Sequence, residues 1–216
     1  MRAIKKRITF SSRNRKLEHF YSLFKEGMSV LDAGVSLENM AELLASNHFL
    51  KTFKYAPKYY TGLGIDDLSQ MGQLYPEKRF VEYPGGRFPF ENKEFDWVFS
   101  NAVIEHVGND DAQLDFLNEM LRVGKNVFFT TPNKFFPVET HTDVLLLHYN
   151  NDLFHRWCRK RHPWVSKYDP YLFSYSRLKK MLNRSQAEKY RIYRNRFLGW
   201  TMTFTAICSD IADDSF

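Results

Sequence analysis

The stretch from Arg87 to Thr131 constrains the fold more than any other part of the chain. It holds, in order, an acidic-aromatic turn (Phe88-Pro89-Phe90-Glu91-Asn92), an apolar run (Phe95-Asp96-Trp97-Val98-Phe99-Ser100), the pair Glu105-His106, a helical period, and a second apolar run ending at Thr131. Runs of six or seven largely apolar residues are too short for a buried helix and suit strands covered on both faces. Between them, Leu114, Leu117 and Leu121 recur at helical spacing over Asp110 to Arg122. Asp110 and Gln113 are placed as a capping box and Gly124 as the helix stop. Strand, helix, strand with short connections is half of a parallel α/β sheet of the kind that binds nucleotides. In such sheets ligands lie beyond the carboxyl ends of the strands, which puts Asn101, Glu105 and His106 at an expected site.

The rest of the chain extends the alternation. Ser29 to Gly34 is a short apolar run closing in Asp32-Ala33-Gly34, and Leu37, Met40, Ala41 and Leu44 continue with helical spacing. Tyr60 to Ile65 reads as a second strand ending in Asp66-Asp67, and Arg79 to Tyr83 as a short third. Lys125 to Thr131 is closed by Pro132, which cannot donate to a ladder. Residues 133–170 break the pattern with aromatics, four histidines and basic residues in irregular order, and the spacing predicts one helix near Asp143 to Arg159. Ser174 to Leu182 predicts a helix, and Lys189 to Arg194 and Trp200 to Ile207 predict two strands joined tightly enough to form an antiparallel hairpin. The expected architecture is α/β: a Rossmann-like, doubly wound seven-stranded sheet, mainly parallel with an antiparallel edge strand. The expected organisation is one domain over 1–216, with 133–170 as an inserted lid or acceptor-binding segment.

Composition excludes several classes. At 44% hydrophobic and 17% aromatic residues the chain can bury a core and is not disordered. Two cysteines, Cys158 and Cys208, are too few for a disulfide framework, which suits a reducing compartment. Neither a signal-peptide apolar run nor about eighteen consecutive apolar residues occurs, so the expected location is cytoplasmic and no transmembrane segment is expected. The charge is lopsided. Between Asn151 and Arg196 thirteen Lys/Arg stand against three acids, a local +10 within a chain of net +6. Such a segment attracts anions, whether nucleic acid, a phosphorylated substrate or an anionic lipid surface, although an ordinary solvated Lys/Arg excess looks the same in sequence.

Taken together, Phe88-Pro89-Phe90, Phe95-Asp96-Trp97-Val98-Phe99-Ser100 and Glu105-His106-Val107 resemble the second half of class I S-adenosylmethionine-dependent methyltransferases. Leu31-Asp32-Ala33-Gly34-Val35-Ser36, Gly64-Ile65-Asp66-Asp67 and Thr131-Pro132-Asn133 with Phe136-Pro137, Glu139 and His141-Thr142 look jointly like a bacterial subgroup of type-11 methyltransferases. The resemblance implies S-adenosyl-L-methionine as cofactor. It places the methionine part over Asp32, Ala33, Gly34 and Ser36 and the ribose at Asp66, with Ile65 and Asp67 beside it. It places the adenine near Gly85 and Gly86, and the reacting end by Asn101. A carboxylate at Asp66 has the lone pairs that a vicinal diol requires, so the ribose role is also sound chemistry on its own.

The chain departs from the broad pattern twice. Ser36 and Glu38 replace the second and third glycines of the loop, a change the subgroup shares, and Pro84-Gly85 stands where relatives place an acid for the adenine amino group. Proline has no side-chain acceptor, so adenine would rely on main-chain groups at 83–86 and on apolar packing, with Tyr83 and Phe88 as candidates.

For chemistry, His106 with Glu105, and His141 with Glu139, are the titratable candidates. A neutral imidazole takes a proton near pH 7, while two such pairs on adjacent loops are also compatible with a metal site or with plain packing. The metal-using relatives with an EH signature carry an acid where this chain has Ala102, and no metal is expected. Asn101 lacks the Pro-Pro-aromatic that follows it in amino-group methyltransferases, which favours an oxygen or a less activated nitrogen as acceptor. The expected activity is methyl transfer to a small-molecule or lipid/glycan-linked acceptor. The alternative is a non-catalytic methyltransferase-like module that binds a partner through its basic C-terminal third. Nucleic acid as partner rests on charge alone.

Overall fold

The computed structural model describes residues 2–36, 47–139, 142–161 and 170–209. Seven strands form one sheet in the order β3-β2-β1-β4-β5-β7-β6. They are β1 (Val30–Ala33), β2 (Tyr60–Gly64), β3 (Arg79–Glu82), β4 (Phe95–Asn101), β5 (Gly124–Pro132), β6 (Tyr190–Phe197) and β7 (Trp200–Cys208). β1 pairs in parallel with both β2 and β4, β2 pairs in parallel with β3, and β6 runs antiparallel to β7. The order turns back at β1 and β4, as the doubly wound expectation requires. β1 and β2 are buried along their whole length, which is why both read as unbroken apolar runs rather than alternating ones.

Packing divides the chain into two compact units. The first comprises Met1–Phe99 with Arg122–Phe128. Its surprise is α1 (Arg2–Leu23), which the sequence reading did not anticipate. Leu17 and Phe20 near the end of α1, and Phe24 just after it, are buried. Phe20 is the hub: its ring lies 5.6 Å from Trp97, 5.0 Å from Phe99, 5.3 Å from Phe128 and 5.4 Å from Phe49. Two short helices, α2 (His48–Thr52) and α3 (Ser69–Leu74), complete this unit. The helix expected from Leu37 to Leu44 lies outside the described residues.

The second unit comprises Ser100–Leu121 with Phe129–Phe216 and carries α4 (Asp110–Val123, its last two residues belonging to the first unit), α5 (Asn151–Arg161) and α6 (Tyr175–Arg184). Two local expectations are corrected. Asn109, not Asp110, caps α4, its Oδ1 accepting from Ala112 N at 3.1 Å. Gln113 is drawn away to Tyr171 O and Arg177, and Asp110 takes the Arg177 guanidinium, so no capping box forms. α4 ends at Val123, so Gly124 marks the helix stop as expected, although without positive φ: it is the first residue of β5, and helix passes straight into strand. The helix near Asp143 begins only at Asn151, because Asp143 and Leu146 adopt positive φ (61° and 58°) in a tight turn, and Asn150 caps α5 through Leu153 N at 3.1 Å. Ser174 caps α6 as a side-chain acceptor from Arg177 N.

Candidate active site

In the first unit the site is built on the carboxyl ends of β1, β2 and β3. Gly34 leaves β1 with φ 115°, and its N and that of Val35 both donate to Leu63 O at 2.9 Å, so the chain folds down onto β2. Gly64 makes that possible. A Cβ there would stand 2.1 Å from Val35 O, and one at Gly62 would stand 2.8 Å from the Phe80 ring. Gly62-x-Gly64 carried no meaning in sequence, yet its two glycines clear the space for the loop after β1. Ser36 is then held by Asn47, which accepts from Ser36 N at 3.3 Å and donates to Ser36 O at 2.8 Å.

Of the acids named from sequence, Asp32 turns inward. Its carboxyl is buried beside Ala33, accepts from the Tyr60 hydroxyl at 2.6 Å, and burial pushes it up to about 7. Asp67 is exposed and occupied locally, its Oδ1 accepting from Ser69 N at 2.8 Å where the chain enters α3, which holds the carboxyl below its ordinary range. Asp66 is half-buried and directly follows Ile65, which is 63% exposed. A large apolar side chain left open at a strand end beside an acid offers one flat apolar surface and one diol acceptor. Beyond β3, Gly85 and Gly86 have φ 96° and 76°, and Tyr83 meets Phe88 edge-on at 5.3 Å. Phe88 is fully buried, so it serves as core under Tyr83 rather than as an open surface for adenine.

In the second unit Asn101 ends β4, and its Oδ1 accepts from Thr130 Oγ1 at 2.7 Å. Ala102 follows with φ 58°, its N bonded to Thr130 O. A short 3-10 turn, Ile104–His106, then brings the acid–imidazole pair together. Glu105 is wholly buried, with Thr131 Oγ1 donating to Oε2 at 3.0 Å and its main-chain O receiving Tyr171 N at 2.7 Å. Its Oε1 lies 4.0 Å from His106 Nε2, and the His106 ring is partly exposed. A fixed carboxylate behind a partly open imidazole can orient that imidazole and stabilise its protonated form. Glu139 is also buried, but Thr142 N and Oγ1 both donate to its Oε2 at 2.8 Å, so it closes its own turn. His141 lies outside the described residues.

Sequence reasoning missed Arg177 altogether. It holds Asp110, Gln113 and Tyr171 O and lies over the rings of Tyr171 and Phe173, fixing the segment whose Tyr171 N anchors Glu105. The signal was hidden because the partners are more than sixty residues away in sequence.

A doubly wound sheet with a glycine turn after β1 and an acid after β2 defines a Rossmann-like cofactor-binding protein. A family profile described as "Methyltransferase domain" matches residues 6–191, and the chain belongs to that family. No curated protein matches it. Among solved structures, it is similar to a SAM-dependent methyltransferase from Aquifex aeolicus at 14% identity and TM-score 0.54, covering 89% of this chain and 87% of that one. It is also similar to a SAM-dependent methyltransferase from Thermotoga maritima, described as a possible histamine N-methyltransferase, at 13% identity and TM-score 0.55, covering 89% and 86%. Phosphoethanolamine N-methyltransferase 2 of Haemonchus contortus, solved with S-adenosyl-L-methionine, matches at 16% identity and TM-score 0.52 over 84% of this chain and 38% of that one. These likenesses establish the shared Rossmann-like fold.

Proposed function

We propose that the protein is an S-adenosylmethionine-dependent methyltransferase acting on a small-molecule or lipid/glycan-linked acceptor through an oxygen. The observation that carries the reading is the open Ile65 followed by half-buried Asp66 at the end of β2, beside the positive-φ turn at Gly34. The residues present fit the cofactor. Asp66 would hold the ribose hydroxyls, Ile65 and Tyr83 would take the adenine, and the main chain at Gly34 to Ser36, Gly85 and Gly86 would line the remainder. Asp32 supports the loop from beneath. The sulfonium of the cofactor supplies an activated methyl group with a neutral leaving group.

Within the second unit Asn101 would contact the acceptor, and His106, with Glu105 behind it, would take the proton of the acceptor hydroxyl. Most of the acceleration comes from holding the acceptor in line, with the base needed because an alcohol is a weak nucleophile. Calorimetry with S-adenosylhomocysteine tests the first half of this reading. The expected dissociation constant is micromolar, about −8 kcal/mol at 1 μM, weakened at least about tenfold in Asp66→Ala. Absence of heat at millimolar ligand would overturn it in favour of a non-catalytic module.

A further inference from the structure

The second unit displays large apolar side chains where folding gives no reason for them. The β6–β7 hairpin closes through a two-residue turn, Leu198-Gly199, with Phe197 paired to Trp200. Both turn residues have positive φ, 48° and 84°. That geometry favours Asn-Gly or Asp-Gly, because a branched Cβ substituent is crowded there. The chain instead places a leucine that is 83% exposed, followed by Trp200 at 58%. A second protrusion repeats the pattern. Leu146, at φ 58°, and Leu145 stand exposed at the end of a turn tied by Glu139 N to Val144 O at 2.9 Å and Leu146 N to Pro137 O at 2.9 Å.

The two protrusions rise from one seam at the carboxyl end of β5. Asn133, directly after β5, donates to Thr201 O at 2.8 Å and through its main-chain N to Met202 O at 2.9 Å. Trp200 is therefore one residue from this seam on one side and the exposed Phe135 two residues from it on the other. Phe135 packs edge-on to Tyr149 at 5.4 Å, and the Tyr149 hydroxyl donates to Phe135 O, which ties the seam to the start of α5. On α5, Phe154 and Cys158 face inward against Val144 and Trp157, while Leu153 is exposed on the same helical face as Arg156 and Lys160. Arg159 and Arg161 add to that end of α5, and Arg194 and Arg196 are exposed on the strand leading into the hairpin turn. Among the described residues from 133 to 161 the exposed acids are Asp143 and Asp152.

We propose that this face of the second unit docks on an anionic lipid surface, with Leu198, Trp200, Phe135, Leu145, Leu146 and Leu153 entering the headgroup boundary and the arginines and Lys160 meeting lipid phosphates. Apolar residues held out on rigid turns and ringed by cations are the composition of an interfacial anchor, in which apolar burial and attraction to anionic lipid act together. Phosphate contacts to nucleic acid would use the cations and leave most of these exposed aliphatic side chains without a role. The inference does not depend on methyl transfer.

Co-sedimentation of the full chain with phosphatidylcholine vesicles, with and without about 30% phosphatidylglycerol, tests it. Binding is expected to be stronger on the anionic vesicles by a factor of about ten or more, and to fall as salt rises from about 0.1 to about 1 M. Leu198→Ser with Trp200→Ser, and separately Leu145→Ser, should each weaken it by a factor of at least about ten with the thermal midpoint unchanged, since the side chains are exposed. Failure to sediment with anionic vesicles overturns the proposal, and so does binding that both variants retain in full. Concentration-dependent dimerisation, or RNA binding, that the same variants abolish without any vesicle binding assigns the face to a second copy or to RNA instead.

Discussion

Asp32 carries its carboxyl into the interior of the first unit, where the Tyr60 hydroxyl is 2.6 Å away and burial raises it to about 7. Its ordinary value is 3.8, so the folded state holds the proton more tightly than the unfolded chain does. The contribution to stability is therefore complete below about pH 4 and lost as pH rises through about 7. An elevation of this size corresponds to an order of about 4 kcal/mol between those limits. Asp32→Asn, which keeps an acceptor for Tyr60 and cannot ionise, should remove that part of the slope. Urea midpoints of the ligand-free protein at pH 5 and pH 8 check this: the variant should gain on the wild type at pH 8, and equal responses to pH would exclude the assignment. A second residue-scale expectation concerns His106. Replacement by Ala should lower kcat by about 100-fold or more and flatten the acidic limb of the pH–rate profile, whereas a purely packing role would leave that limb in place. Sequence marked Asp66, Glu105 and His106 because each lies just beyond a strand. It could not reveal that Asp32 faces Tyr60, because the contact joins residues 28 apart that only the β1–β2 pairing brings together.

At the scale of elements, the strands were the readable part. The buried runs of β1 and β2 are contiguous, so burial on both faces is visible in the sequence itself, and the helix at 110–123 repeats its leucines over about two turns. α1 was not readable in the same way. Leu17 and Phe20 come at its end and Phe24 just beyond it, and the burial of Phe20 depends on Trp97, Phe99 and Phe128 supplied by distant strands. Phe20→Ala should accordingly cost about 3–5 kcal/mol, read from denaturant midpoints, because it empties the centre of an aromatic cluster that cannot collapse around a methyl group. The loop after β1 makes the converse case. Gly64→Ala would bring a methyl to within 2.1 Å of Val35 O, so backbone rather than a side chain must move. The expected loss is about 1–3 kcal/mol of stability, together with weaker S-adenosylhomocysteine binding, since the displaced loop contains Gly34 and Ser36. A Gly64→Ala protein with unchanged midpoint and affinity would show that this loop tolerates a different path.

For the molecule as a whole, the formal count of +10 between Asn151 and Arg196 overstates the field it projects. Arg177 is engaged with Asp110, and Arg184 pairs with Asp111 at 3.3 Å. The acids that temper this basic segment sit on α4, some seventy residues earlier, which is why the asymmetry looked larger in sequence than in the fold. Binding to a polyanion by phosphate contacts alone releases counterions, and log K then falls with log salt at a slope of about −0.9 per phosphate on duplex DNA. With Arg177 and Arg184 already paired, fewer phosphates can be contacted than the count suggests. Gel-shift titration with RNA and duplex DNA should therefore give affinities weaker than about 100 μM at physiological salt and a shallow dependence between about 50 and 200 mM. A slope near −6 with tight binding would mean that the basic segment acts as one continuous nucleic-acid surface, and would make a polymeric acceptor the better reading of the methyltransferase fold.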